Sequence, residues 1–294
     1  MTGTTTILLT GADGQLGRSL KDTTPGGVRL ISLDREMLDI TSAAAVQKAM
    51  QEHQPDIVIN AAAFTAVDRA EDESEAAHQI NGDAVAELAR SCRDHDSRLI
   101  QISTDFVFPG DGSKPLSPAD PTGPGSVYGR SKLAGEQAAL EAGDIARVFR
   151  TSWVYSEHGH NFVKTMLRLG NSHDELRVVD DQIGSPTYAR NLALAVWALA
   201  DRWPDAHVLH YADAGNCSWF DFAREIFNTA QAIGLLNKVP DISPVSTAEY
   251  GAPAPRPAYS VLNTYLTTEL LGLQPPVWQT ALGQMLSRLQ TQNG

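Results

Sequence analysis

"TILLTGADGQLGRSL", residues 6–20, decides the fold. A short apolar run ends at Thr10, and Gly11, Gly14 and Gly17 follow at G-x-x-G-x-x-G spacing as an amphipathic helical pattern opens. Glycines here let the backbone turn tightly and come close to a diphosphate, whose charge the helix N-terminus then favours. The spacing alone is a weak signal. Its place between a strand and a helix makes it a dinucleotide-binding turn, with Gly11, Gly14, Gln15, Leu16 and Gly17 as candidate cofactor contacts.

Outward from this turn, short apolar runs alternate with helical patterns: "RLISL" (29–33), "DIVIN" (56–60), "RLIQIS" (98–103) and "ARVFRTS" (146–152). Runs that are apolar on both faces and separated by helices such as "AAAVQKAMQEH" (43–53) predict a doubly wound, Rossmann-like α/β fold with a parallel sheet. Beyond residue 152 the rhythm is less regular. The expected division is a dinucleotide-binding domain over 1–152 and a smaller, mainly substrate-binding domain over 153–294, with a segment near 176–182 returning to the sheet. No internal repeat or low-complexity tract is found.

Composition narrows the function. The 294 residues are 42% hydrophobic, ample for a buried core, and the formal net charge is −12, which argues against a phosphate-backbone binder. No nucleic-acid or membrane partner is expected: the longest apolar stretch, "LALAVWALA" (192–200), is far short of the roughly 20 residues that span a bilayer. "MTGTTTILLTG" lacks the basic start and long apolar run of a signal peptide, and Cys92 and Cys217 sit in no C-x-x-C pattern. A reducing cytoplasm fits best.

Polar and small residues then gather at the strand ends. Asp34 follows Gly17 by 17 residues, near the distance of about twenty at which an acidic residue meets the adenosine ribose. Arg35 beside it suits a ribose 2′-phosphate, so NADH and NADPH both stay open. Asp39 and Ile40 belong to the same crevice, as do Ala61, Ala62 and Ala63, whose small side chains admit a flat ligand, with Phe64, Thr65 and Ile102. The acidic run Asp68 to Glu75 reads as a solvated helix face. Thr104 and Asp105 close the strand before "VYGRSKLAGE" (127–136), where Tyr128 and Lys132 share one helix face at i, i+4 spacing. Thr104 and Tyr128 thus converge on one substrate oxygen. Arg256, in "PAPRPAYS", is a candidate for a substrate diphosphate because arginine grips phosphate as a planar fork.

Taken together, "GADGQLG", "PDIVINAAAFTAVDRAE", "STDFVFPG", "VYGRSKLAGE", "FRTSWVY", "NFVKTML" and "DDQIGSPT" give a chain that resembles the extended short-chain dehydrogenase/reductase superfamily, and within it the dTDP-4-dehydrorhamnose reductase family. The resemblance covers essentially the whole chain. It implies NAD(P)H-dependent reduction of the C4 carbonyl of dTDP-4-dehydro-L-rhamnose, for cell-surface glycans, with Tyr128 as proton donor, Lys132 as its partner and Thr104 at the reacting oxygen. It implies further that Asp105 and Trp153 touch the dTDP-sugar. Lys132 is expected to pull the Tyr128 pKa toward working pH. Some members of the family are associated with magnesium at a carboxylate-lined dimer contact, but position 190 is Arg here, so no metal site is expected; His158 and His160 read as a loop pair. Monomer and homodimer stay open. Two alternatives remain: a nucleotide-sugar dehydratase or epimerase with a retained NAD+, and a non-catalytic subunit resembling the methionine adenosyltransferase β subunit. Phe106, where related dehydratases carry Glu, speaks against the first, and the intact Tyr128, Lys132 and Thr104 against the second.

Overall fold

The computed structural model describes residues 4–293; the reading of the first residues as no signal peptide falls partly on 1–3, outside them. The five strands of the first half lie where the apolar runs stand: β1 (Thr5–Thr10), β2 (Val28–Leu33), β3 (Ile57–Asn60), β4 (Arg98–Thr104) and β5 (Ala146–Thr151). Between them run α1 (Gln15–Asp22), α2 (Ala43–His53), α3 (Val67–Asp72), α4 (Ser74–His78), α5 (Ala84–Asp94) and α6 (Val127–Leu140). Cores on both faces follow from the period of two along each strand. Ile7 and Leu9 face α1 on one side, and Leu8 faces α2 and α5 on the other.

The second half adds β6 (Val154–Tyr155), α7 (Phe162–Gly170), β7 (Glu175–Val179), β8 (Ile183–Gly184), β9 (Thr187–Tyr188) and α8 (Ala189–Arg202). It continues with β10 (Val208–His210), β11 (Cys217–Ser218), α9 (Trp219–Ala232), β12 (Asp241–Val245), α10 (Thr247–Tyr250), α11 (Tyr265–Leu271) and α12 (Trp278–Asn293). The sheet order is β10-β5-β4-β3-β1-β2, parallel throughout.

One expectation is overturned here. The segment near 176–182 does not return to this sheet: β7 pairs with β12, in register from Glu175 with Asp241 to Val179 with Val245. The strand that returns is β10, which pairs with β5. Burial explains the difference. Leu209 and His210 are fully enclosed between the sheet's two layers, whereas Glu175 and Arg177 of β7 face solvent and suit a peripheral two-stranded pair. The apolar helix α8 covers the face of the main sheet through Leu192, Val196 and Leu199. Among the described residues no helix is long and apolar enough to cross a membrane.

In this order β1 sits between β2 and β3, so successive connections leave it in opposite directions and open a crevice at the carboxyl ends. Gly11 and Ala61 to Ala63 stand at that opening. A third core, built from Val163, Phe222, Phe227 and Trp278 among others, holds α7, α9 and α12 above it.

Candidate active site

A cavity of about 920 Å³ runs from the glycine turn to the Tyr128 helix and on to the second half. Gly11 has φ +66°, and a Cβ on it would lie 2.6 Å from the Ala62 amide nitrogen, so the turn is pressed against the end of β3. Gly17 serves packing instead: its Cβ would stand 2.3 Å from the Gly11 carbonyl oxygen. The α1 N-terminus has no side-chain cap and no acidic residue in its first turn, which leaves its amides and partial positive charge for an anion.

Most of the cofactor candidates line this cavity: Gly11, Gly14, Gln15, Leu16, Arg35, Asp39, Ile40, Ala61, Ala62, Ala63, Thr65 and Ile102. Gly17, Asp34 and Phe64 are not on its wall, each for a local reason. Gly17 faces the turn's own backbone. The Asp34 carboxylate accepts the Glu36 and Met37 amides, both at 2.9 Å, and so holds its own loop. Phe64 is pinned through its backbone by Asn81, which accepts its N–H at 2.8 Å and donates to its carbonyl at 3.0 Å, while its ring packs under Arg69. Arg35 forms no hydrogen bond or ion pair among the described residues; Asp39 is held below the ordinary carboxylate range by the Thr41 hydroxyl and amide.

The proposed chemistry gathers at the carboxyl end of β4. Ser126 starts α6 by accepting the Gly129 amide at 3.1 Å, and Glu71 accepts the Val127 amide at 2.8 Å. This sets Tyr128 and Lys132 on the inner face. Tyr128 is 9% exposed, meets the Phe106 ring edge to face at 5.4 Å, and interacts with the Thr104 hydroxyl. Thr104 Oγ1 donates to Asp105 Oδ1 at 2.9 Å. Lys132 Nζ donates to the Ile102 carbonyl at 2.7 Å.

Burial governs the electrostatics. It pushes the Tyr128 phenol up to about 12, with the Asp105 charge adding to the rise. It pulls Lys132 down to about 8 against the opposing effect of Glu136, and lifts Asp105 to about 6. The expected lowering of Tyr128 by Lys132 is therefore not found: burial raises the phenol, and the ammonium is turned to the Ile102 carbonyl instead. Among the described residues, Ser103 Oγ and Thr151 Oγ1 are buried on the cavity wall without a hydrogen-bond partner, and beside them Asp105 has Ser260 and Thr104 to stabilise its charge. Unpaired polar atoms at one spot are what a polar ligand satisfies, so the residues fit a dinucleotide and an oxygen-rich substrate.

The far wall comes from the second half. Trp153, with φ 45°, stacks on Trp219 at 3.4 Å between ring centroids. Gly184 permits this, because a Cβ there would meet the indole at 2.4 Å. Trp219, Phe162 and Asn161 line the cavity and escaped the sequence reading; Trp219 had one signal, the Ser218 cap that opens α9 directly before it. Arg256 reaches the wall, but Asp68 Oδ2 takes its Nη2 at 2.8 Å, so part of its charge is engaged and the acidic run is no merely solvated face.

His158 and His160 part company. His158 Nε2 meets Asp22 Oδ2 at 2.9 Å, whereas His160 lines the cavity. Asp22, Glu157 and His158 bring ligand-type atoms within 4.8 Å of one another. An imidazole with two carboxylates, one already facing Arg288 at 3.4 Å, is not the all-oxygen set that magnesium takes. Arg190 stands close enough to Tyr188 to act on its hydroxyl alongside Arg288.

A family model described as RmlD substrate binding domain matches residues 5–291. A spore coat polysaccharide biosynthesis protein of Bacillus subtilis is 41% identical over 96% of this chain and 97% of its own. A dTDP-4-dehydrorhamnose reductase of Aggregatibacter actinomycetemcomitans is 40% identical over 94% of this chain and 96% of its own. The crystal structure of a dTDP-4-dehydrorhamnose reductase from Bacillus anthracis in complex with NADP superposes with a TM-score of 0.91 at 39% identity, covering 97% and 99% of the two chains. With its whole length matched and its crevice at the switch point of a parallel sheet, the chain belongs to the RmlD substrate-binding-domain family and, within it, to the dTDP-4-dehydrorhamnose reductases.

Proposed function

We propose that this chain reduces the C4 carbonyl of dTDP-4-dehydro-L-rhamnose to give dTDP-L-rhamnose, with NADPH or NADH as reductant, in nucleotide-sugar and cell-wall polysaccharide biosynthesis. The observation that carries the reading is the enclosed Tyr128, with Thr104 and Lys132 around it, in the same cavity as the uncapped glycine turn. The nicotinamide cofactor supplies the hydride when bound. Gly11, Gly14 and the first amides of α1 would hold its diphosphate, Ala61 to Ala63 its flat face, and Arg35 or Asp39 its adenosine end.

The remaining work falls to the chain's own residues. A phenol near 12 is protonated at neutral pH, the state a proton donor needs, and an alkoxide is the stronger base, so transfer to it is downhill. Lys132, still mainly charged at pH 7, opposes the negative charge left on the tyrosine oxygen. Thr104 orients the carbonyl oxygen. Trp153 and Trp219 close the sugar side against water, Asp105 accepts from sugar hydroxyls, and Arg256 meets the substrate diphosphate with what Asp68 leaves free. Phe106 takes no proton, so elimination of water lacks a base at this position.

The same reading divides the labour between a cofactor domain over 1–152 and a mainly sugar-nucleotide domain over 153–294, in a cytoplasmic monomer or homodimer. Its test is turnover of the keto-sugar nucleotide with each reduced cofactor in turn. One cofactor oxidised per dTDP-L-rhamnose formed is expected. Conversion of dTDP-glucose to a 4-keto-6-deoxy sugar without added reductant would favour a dehydratase instead.

A further inference from the structure

Gln15 sits in the glycine turn, yet its side-chain amide bonds the second half of the chain. Its Nε2 donates to the Val154 carbonyl at 3.3 Å, and its Oε1 accepts from Ser156 Oγ at 3.0 Å and from Asn161 Nδ2 at 2.9 Å. All three partners lie in the segment 154–161, about 140 residues away in sequence. Ser156 is fully buried. Asn161 is a hub: it caps α7 by accepting the Lys164 amide at 3.0 Å, and it donates to the Ser156 carbonyl at 2.7 Å. Gly159, at φ +61°, lies so close that a Cβ on it would stand 3.3 Å from Gln15 Cγ. Trp153 and Phe162 flank this segment, both on the cavity wall.

We propose that the Gln15 side chain is a positioning group for the sugar-nucleotide half of the site: it clamps the 154–161 segment to the first turn of α1 and thereby sets Trp153 and Phe162. The cofactor turn contributes its backbone to the dinucleotide and this side chain to the substrate wall. Both oxygen-directed bonds and one amide hydrogen are already committed, so the side chain has little left for a diphosphate. Seating the cofactor against α1 also steadies the segment that receives the sugar, which couples the two ligands through one residue. The proposal rests on the reduction reading for its kinetic readout, and on the hydrogen bonds alone for its structural one.

The test compares full-length wild type with Gln15→Leu and with Ser156→Ala, which removes a single donor from the clamp. Three quantities are measured: NADPH affinity by calorimetry, KM and kcat for dTDP-4-dehydro-L-rhamnose, and amide hydrogen exchange across 154–162. Gln15→Leu is expected to leave NADPH affinity within about threefold, raise KM about tenfold, and speed exchange in 154–162, the scale of one to two lost hydrogen bonds. Ser156→Ala should move KM and exchange the same way by less, and the double variant should fall short of the sum. A loss of NADPH affinity as large as the rise in KM, or unchanged exchange in 154–162, overturns the proposal. If wild type fails to turn over this sugar nucleotide, the reduction reading falls while the exchange comparison still decides the clamp.

Discussion

Tyr128, Lys132 and Asp105 are three ionisable groups brought out of water together, and each is displaced toward its neutral form. Tyr128→Phe should keep the fold and cofactor binding while lowering kcat about a hundredfold or more, the scale of losing a general acid; near-normal turnover of the Phe variant would remove Tyr128 from the mechanism. Lys132 loses its charge as pH rises through about 8, so kcat should fall across that range. A profile flat to pH 10 would show that its charge is not used. Asp105 gives a stability prediction. Its native pKa, about 6 against an ordinary 3.8, means that the folded chain holds the extra proton between those values, so stability falls as pH rises through the window and the cost persists at neutral pH. Asp105→Asn should therefore raise Tm at pH 7.5 by a few degrees and less at pH 4, while weakening turnover; an equal shift at both pH values would contradict the assignment. The identities and spacing of these residues were legible in the sequence. Their protonation was not, because burial is decided by Phe106 and the strand ends packed around them.

At the level of elements, the glycine turn shows which letters of a motif are structural. Gly11 and Gly17 cannot carry a Cβ without meeting backbone at 2.6 and 2.3 Å, whereas Gly14, with φ −69°, has only a 3.3 Å approach to the Gly11 oxygen. Gly17→Ala should thus lower the unfolding free energy far more than Gly14→Ala, by several kcal/mol against about one. Similar losses would mean that helix and strand can shift apart freely. The strand–turn–helix and the alternation that follows it were readable because a buried parallel strand leaves an apolar run. The returning strand was misplaced because β7 and β10 are both short, and the apolar Val178 and Val179 of β7 masked the signal of its charged, solvent-facing Glu175 and Arg177. Asn81 left no signal at all: its work is to hold the backbone of Phe64 from a single π turn, Gln79–Asp83, a contact 17 residues away.

Across the whole molecule, the first half supplies the turn, the strand ends and the Tyr128 helix, and the second half supplies an aromatic wall held by Gly184, Ser218 and the Gln15 clamp. That wall was the least legible part, since Trp153 and Trp219 are 66 residues apart and meet only when the chain folds. Both halves are needed for a cavity that encloses a keto-sugar beside a hydride source. The most direct measurement is the fate of that hydride: the purified chain is given dTDP-4-dehydro-L-rhamnose and NADPH deuterated at the transferable C4 position, and the product is read by NMR. Deuterium at sugar C4, one per cofactor oxidised and absent with Tyr128→Phe over the same interval, is the expected result. Product formed without deuterium at C4, or with no cofactor consumed, would contradict the account.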